Sequence, residues 1–191
     1  MTDQLSLLGM ELSPRRLEAQ FLCIMPDALT GQGIYRLGGR LRSGNALTGR
    51  LIGLERLHVS LQSVMLSTPL QTLVQACGRV RFPAFDLCLN KIGSFTNSRQ
   101  AKPFVLWVDE GRDELLALRM ALHRELSRDV RPKPQLDNLA TPHLTLLYDR
   151  RMVPEYPILP IRWRVRDFVL VRSFVGQGRY EILGRWPLEA E

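Results

Sequence analysis

Apolar and polar positions along the chain recur with two periods, about two residues in some stretches and between three and four in others, and the switches between them mark out strands and helices. Leu17 to Met25 is apolar with strand character, and Pro26-Asp27 starts a helix that runs toward Arg42. Gly44-Asn45 breaks it, and a strand follows from Arg56 to Met65. Ser67-Thr68-Pro69 supplies a hydroxyl cap and a first-turn proline for a second helix, which Gly78 ends just after Cys77. Phe85 to Ile92 and Pro103 to Val108 read as an antiparallel pair across the polar turn Gly93 to Gln100. From Asp113 to Arg128 the period becomes helical: Leu115, Leu118 and Leu122 share a face, while Arg112, Arg119 and Arg124 lie elsewhere. Pro132, Pro134 and Pro142 make Arg131 to Pro142 a loop, and a further strand runs from His143 to Asp149. A proline-rich connection, Pro154 to Pro160, leads into one long strand-like run, Ile161 to Val175. Gly176-Gln177-Gly178 is a turn, and Tyr180 to Trp186 makes the closing strand.

The irregular order of strands and helices predicts an α+β fold over a doubly wound α/β one. Residues 1–14 read as a flexible tail and residues 15–191 as a single domain. A loose internal repeat is visible: a helix followed by a strand carrying a histidine occurs in each half. Two similar lobes, each giving one strand to a shared cleft, would account for it.

Composition narrows the function classes. A hydrophobic content of 45% and a mean hydropathy of -0.08 fit a soluble globular protein, and no apolar run is long enough to cross a bilayer. The first sixteen residues carry Asp3 and Glu11 and only a brief apolar patch, unlike a secretory leader. Cys23, Cys77 and Cys88 have no metal-type spacing and read as buried free thiols of a cytoplasmic protein. The net charge of +7 favours an anionic partner, nucleic acid being the commonest. Of the 26 basic residues 23 are arginine, whose fork suits phosphate, although an arginine-rich genome gives the same count without a functional reason.

The candidate chemistry lies in a phrase that occurs twice: His58-Val59-Ser60-Leu61 and His143-Leu144-Thr145-Leu146. Strand alternation sets His58 and Ser60 on one face with Val59 and Leu61 on the other, and does the same for His143 and Thr145 against Leu144 and Leu146. With 18 Ser and Thr in 191 residues, chance puts a hydroxyl at this same-face spacing after a given histidine in under about one case in ten. Two such coincidences among three histidines favour a functional reading over two structural histidines. Imidazole gives and takes protons near neutral pH, and two rings flanking a phosphorus can work in series, one activating water and the other protonating the leaving oxygen. The Ser60 and Thr145 hydroxyls can donate to the non-bridging oxygens. No metal is required, and neither histidine has the neighbours of a metal site.

These residues resemble the 2H phosphoesterase superfamily, and most closely its bacterial branch of RNA 2′,3′-cyclic phosphodiesterases, the 2′-5′ RNA ligase-like proteins. The paired phrases carry the resemblance. Arg16 to Asp27, Leu47-Thr48-Gly49-Arg50 with Glu55-Arg56-Leu57, Val105 to Val108, Thr141-Pro142 before the second phrase, and Ser173, Gly178 and Tyr180 are similar to the family's flanking segments. The resemblance implies two pseudo-symmetric lobes of antiparallel sheet with flanking helices around a central cleft. It implies that His58 protonates the departing ribose oxygen as general acid, that His143 activates water as general base, and that Ser60 and Thr145 hold the phosphate. The implied reaction opens a 2′,3′-cyclic phosphate on RNA or a nucleotide to a 2′-phosphate. Taken with the composition, the expectation is a cytoplasmic monomer with no cofactor and no membrane partner. Two positions depart from the family pattern. Gln62-Ser63-Val64 replaces Phe-Leu-Gly, and alternation puts Gln62 on the His58 face as a possible substrate contact. Tyr148 stands where many members have arginine; regular alternation turns it away from His143, and it is a candidate substrate contact if the strand twists or ends there.

Among other residues, His123 reads as solvent-facing on its helix, and Trp107, Trp163 and Trp186 as core or rim residues rather than base-stacking platforms. Arg162, Arg164 and Arg166 form either a basic stripe along an RNA backbone or the solvated face of an edge strand. Arg150 and Arg151 are candidates for electrostatic steering, and Arg150 also for a substrate contact. Three functions stay open: a phosphodiesterase on cyclic phosphate ends, an RNA-binding module of the same fold without turnover, and a related enzyme, a 2′-5′ ligase or a cyclic phosphodiesterase on another small nucleotide.

Overall fold

The structure, a computed structural model, describes residues 18–95, 101–130 and 141–190. The tail expected at residues 1–14 and most of the expected loop at 131–142 lie outside these. Eight antiparallel strands form one sheet in the order β6-β3-β4-β5-β2-β1-β7-β8. They are β1 (Glu18–Ile24), β2 (Val59–Val64), β3 (Phe85–Ser94), β4 (Lys102–Val108), β5 (His143–Asp149), β6 (Tyr156–Val165), β7 (Asp167–Phe174) and β8 (Arg179–Pro187). Three helices, α1 (Ala28–Gly44), α2 (Leu70–Gly78) and α3 (Arg112–Ser127), pack on one face. The main core lies between them, joining Ile34 of α1, Leu73 of α2 and Leu118 and Leu122 of α3 to alternate residues of the strands.

The local signals explain most boundaries. Asp27 caps α1: its Oδ1 accepts from the Thr30 amide at 3.0 Å and its Oδ2 from the Thr30 hydroxyl at 2.7 Å. Helix α2 ends at Gly78 as expected, but it begins directly after Pro69 with no side-chain cap, so the Ser67-Thr68 hydroxyls do not serve it. The largest departure is the run expected as one strand from Ile161 to Val175. It is two strands, β6 and β7, parted at Arg166, and β6 extends back to Tyr156 through Pro157 and Pro160. Proline is tolerated there because β6 is an edge strand and because Pro160 lies in a bulge, residues 158–160, that leaves the ladder with β3.

That division determines the shape of the sheet. β6 and β7 are six places apart in the strand order, about 29 Å in a flat sheet, yet only Arg166 joins them, a link that spans at most about 7 Å. The sheet must therefore curl until the end of β6 reaches the start of β7. The Leu188 amide donates to the Arg166 carbonyl at 2.8 Å, and reciprocal bonds at 2.9 Å join Glu189 to Phe82 and Ala84, fastening the closing segment to the chain ahead of β3.

The sheet divides into two four-stranded halves, β6-β3-β4-β5 and β2-β1-β7-β8, each holding a strand–helix–strand unit: β4-α3-β5 in one and β1-α1-β2 in the other. The phrase-bearing strands β5 and β2 meet at the seam, so the two-lobed α+β architecture read from the sequence is the one observed. Cys23, Cys77 and Cys88 are free and buried, also as expected, and burial pushes the Cys77 thiol up to about 12.

The loop from α1 back toward β2 is clamped to the end of β5 by Asp149. Its Oδ2 accepts from the amides of Thr48 (2.6 Å) and Gly49 (2.7 Å), and its Oδ1 from the Arg151 amide (2.8 Å). These donors, Arg151 foremost, hold the carboxyl down at about 2 against the opposing effect of burial. Gly49 passes so close to β5 that a Cβ would lie 2.1 Å from the Tyr148 carbonyl oxygen. Asp149→Asn is expected to lower unfolding stability by about 2 kcal/mol, and Gly49→Ala by at least as much, measured by urea denaturation at pH 7. Because the folded pKa lies below the ordinary value of 3.8, the ionised carboxylate stabilises above that pH and the contribution is lost as pH falls toward 2. The acid limb of a Tm–pH curve should be shallower in Asp149→Asn; superimposable curves would show that the clamp carries no stability.

Candidate active site

Val59, Leu61, Leu144 and Leu146 are buried in the main core, which leaves the polar members of both phrases on the opposite face of the sheet. β2 and β5 share a single antiparallel pair, Val59 with Leu144. The same register carried one residue either way sets His58 across from Thr145 and Ser60 across from His143, so the two phrases face each other with near two-fold symmetry. All four side chains line one cavity of about 340 Å³.

Both imidazoles are held in the same way. His58 Nδ1 lies 2.7 Å from the Arg56 carbonyl oxygen and His143 Nδ1 2.8 Å from the Thr141 carbonyl oxygen. A carbonyl only accepts, so Nδ1–H donates in each ring and Nε2 is the atom left for chemistry. A 3₁₀ turn, Leu54–Arg56, presents the first carbonyl, and the Thr141-Pro142 approach presents the second. Aromatic walls complete the setting. Phe21 and Tyr180 lie 5.0 and 5.7 Å from the His58 ring, and Phe95 and Trp107 lie 4.8 and 6.1 Å from the His143 ring.

This environment disfavours positive charge on either ring. Burial pushes His58 below its ordinary pKa of 6.5, the charges of His143 and Arg56 add to the effect, and the Arg56 carbonyl opposes it. Burial likewise lowers His143, aided by the charge of Arg119 and opposed by the Thr141 carbonyl. A proton on His143 thus makes one on His58 harder to bind.

Two positions differ from the alternation expected of a regular strand, for one reason. The register of β2 on β1 passes from Leu22–Gln62 to Cys23–Ser60, leaving Leu61 unpaired. The register of β5 on β4 passes from Phe104–Leu147 to Val105–Thr145, leaving Leu146 unpaired. Each phrase thus carries a β-bulge at its last residue, and the faces exchange beyond it. Gln62, expected on the His58 face, instead pairs beside the core residue Leu22, is 1% exposed and does not line the cavity. Tyr148, expected to turn away, is half exposed and lines the cavity with His143. Arg150 is exposed at the end of β5 and is not among the lining residues.

The cavity gathers other residues. Ser173, Gly178 and Tyr180 line it, as do Arg56 and Arg179, two arginines to which the sequence pattern assigns no role. Arg56 sits two residues before His58, the same-face spacing that marks Ser60, which was the available signal. Arg162 and Arg164 lie elsewhere, on edge strand β6, paired with Glu110 (2.6 Å) and Asp86 (3.3 Å), so they form an ion-paired edge. His123 is exposed on α3. Trp163 is buried in the core, and Trp186 stacks on Phe168. Among the described residues no three His, Cys, Asp or Glu side chains gather as a metal site would need, and no helix is long and apolar enough to cross a membrane.

Arg119 was also missed. It lies on α3, in one half of the sheet, is 3% exposed, and its Nη2 donates to the Ser60 carbonyl oxygen of the other half at 2.7 Å. Burial lowers its pKa to about 10, so it stays charged at neutral pH beneath the histidine pair. Arg119→Gln is expected to lower stability by about 1–3 kcal/mol, because the Ser60 carbonyl loses a charged donor. It should also raise the His143 pKa by removing the positive charge, read by NMR titration of the imidazole protons. An unchanged His143 midpoint in a folded variant would contradict this electrostatic link.

Comparison with known proteins agrees with this geometry. No curated protein matches the chain by sequence. Among solved structures, Escherichia coli LigT complexed with ATP is 25% identical, with a TM-score of 0.67 over 90% of this chain and 98% of that one. The same protein complexed with 3′-AMP is 26% identical, with a TM-score of 0.66 over 90% and 98%. TT0787 of Thermus thermophilus, at 19% identity and a TM-score of 0.68 over 91% and 99%, shares the fold. The family model of the 2'-5' RNA ligase superfamily matches residues 33–175, and the chain, with its paired histidine phrases meeting at a two-lobed seam, belongs to that superfamily.

Proposed function

We propose that this protein hydrolyses 2′,3′-cyclic phosphate ends of RNA or nucleotides to 2′-phosphates without a metal ion. The observation that carries the reading is the pair of imidazoles, each with Nδ1 held by a backbone carbonyl, lining one small cavity with Ser60 and Thr145. The phosphoesterases and ligases of the superfamily, and the LigT complexes with 3′-AMP and ATP, support a nucleotide in such a cavity.

In the proposed reaction His143 Nε2 takes a proton from water, whose oxygen forms the new bond to phosphorus. The bond from phosphorus to the ribose 3′ oxygen breaks, and His58 Nε2–H protonates that oxygen as it leaves. A 2′-phosphate and a 3′-hydroxyl result, and the enzyme ends with the proton exchanged between its rings. The Ser60 and Thr145 hydroxyls donate to the non-bridging oxygens, where charge builds in the transition state. The charge of Arg119 favours a neutral His143, as a base requires. The anionic substrate offsets the burial that disfavours a charged His58.

His58→Ala and His143→Ala are each expected to lose about 10²–10⁴-fold in kcat on a 2′,3′-cyclic nucleotide in EDTA, and the double variant little more, because the two groups act as a unit. Activity surviving in both single variants would remove the proposal. The pH profile gives a second check. The reactive free enzyme has one ring protonated and one neutral, and both pKa values lie below 6.5. The plot of kcat/KM against pH should therefore be bell-shaped, with its maximum on the acid side of 6.5 and a tenfold fall per unit well above it. A maximum above pH 7 would contradict the assigned protonation states.

A further inference from the structure

A second cavity of about 480 Å³ adjoins the histidine cavity and shares Arg56, Gly176 and Gly178 with it. Its far side is formed by Tyr35 and Arg42 of α1 and by Arg50 of the loop that Asp149 clamps. The one carboxylate in its lining, Glu55, lies 3.6 Å from Arg56. Neither Arg42 nor Arg50 is ion-paired among the described residues; other arginines, Arg166 among them, are unpaired too, but Arg42 and Arg50 line one cavity together. Offsetting the helix dipole would account for Arg42, in the last turn of α1, but not for Arg50 in a loop. Two uncompensated guanidiniums converging on one cavity suit phosphodiester oxygens, and the part-exposed Tyr35 ring offers a face on which a base can stack.

The histidine cavity is at the small end of ligand pockets, which run from about 300 to 1,000 Å³. A polynucleotide whose cyclic end sits at the histidines must leave through the mouth, and the second cavity opens there. We propose that this cavity is a subsite for the internucleotide phosphates that precede the reacting end, Arg42 and Arg50 each taking one, so that the protein prefers an oligoribonucleotide to a mononucleotide. The inference rests on the phosphodiesterase reading for its direction, but its test does not depend on turnover.

The experiment measures binding of a fluorescent pentaribonucleotide ending in a 2′-phosphate, by anisotropy between 50 and 200 mM NaCl, for the wild type, Arg42→Gln/Arg50→Gln and the control Arg166→Gln. Two phosphate contacts contribute about 1.4 to the log–log salt slope of a single strand, so the wild type should lose about sevenfold more affinity over this range than the double variant. Arg166→Gln should behave as wild type. Thermal melting by circular dichroism verifies that the double variant is folded. In parallel, kcat/KM is compared for a 2′,3′-cyclic mononucleotide and a pentamer with the same end. The double variant should lose the preference for the pentamer while turning over the mononucleotide within about twofold of wild type. Equal salt slopes in wild type and double variant would overturn the subsite, whatever the turnover. No hydrolysis of either substrate by wild type would overturn the phosphodiesterase reading while the binding slopes still decided the subsite.

Discussion

The structure depends on how little holds its two halves together along the sheet. β2 and β5 share one backbone pair, Val59 with Leu144, and diverge on either side of it. A fully zipped pair would have made a continuous wall with a closed polar face. One pair keeps the histidine phrases in register and lets the halves splay, which opens the cavity on the side away from the helices. The backbone groups released where the strands part find partners elsewhere. Arg119 donates to the Ser60 carbonyl oxygen, and the Ile52 amide donates to the Leu146 carbonyl oxygen at 2.7 Å. Unserved, each would cost more than the bond itself contributes. The contacts that brace the seam therefore also form the floor and rim of the site.

Much of this was legible in the sequence because the decisive signals were local. The Asp27 cap, the glycine ending α2, the leucine face of α3 and the alternation around both histidines each act within a few residues. What escaped was decided by tertiary context. Leu61 and Leu146 are apolar and would be buried in a regular strand too, so nothing at those positions announces a bulge; only the paired register reveals that Gln62 and Tyr148 have exchanged faces. Arg119 escaped because one of several arginines on a polar-flanked helix reads as solvated, and its acceptor is a backbone carbonyl 59 residues away. Pro157 and Pro160 read as a connection because the sequence does not say which strand will lie at an edge.

The arginines separate by environment. Several are neutralised in place: Arg79 by Asp129 and Glu125, Arg162 by Glu110, Arg185 by Asp167. Those at the mouth of the cavity mostly are not. Arg179 lies 3.9 Å over the Phe174 ring, a contact that orients the cation and leaves its charge available, while Arg56 lies 5.9 Å over the Tyr180 ring and 3.6 Å from Glu55. Part of the positive charge therefore lies at the cavity mouth, beside the place where burial disfavours charge on the rings of His58 and His143.

The prolines of β6 have a consequence for association. An open sheet has two free edges, and a flat, apolar one is a template on which a second chain can extend the ladder. β6 exposes Leu159 almost completely, at 89%, which would make it such a template. The register of β6 on β3 passes from Ile161–Leu89 to Pro157–Lys91, so Leu159 and Pro160 lie in a bulge that leaves the regular ladder, with a second proline at its far end. An incoming strand would meet a kinked edge, with two prolines that have no N–H to give, around the sticky residue. The same residues that disguised this segment as a connection guard the edge against fibrillar or edge-to-edge assembly.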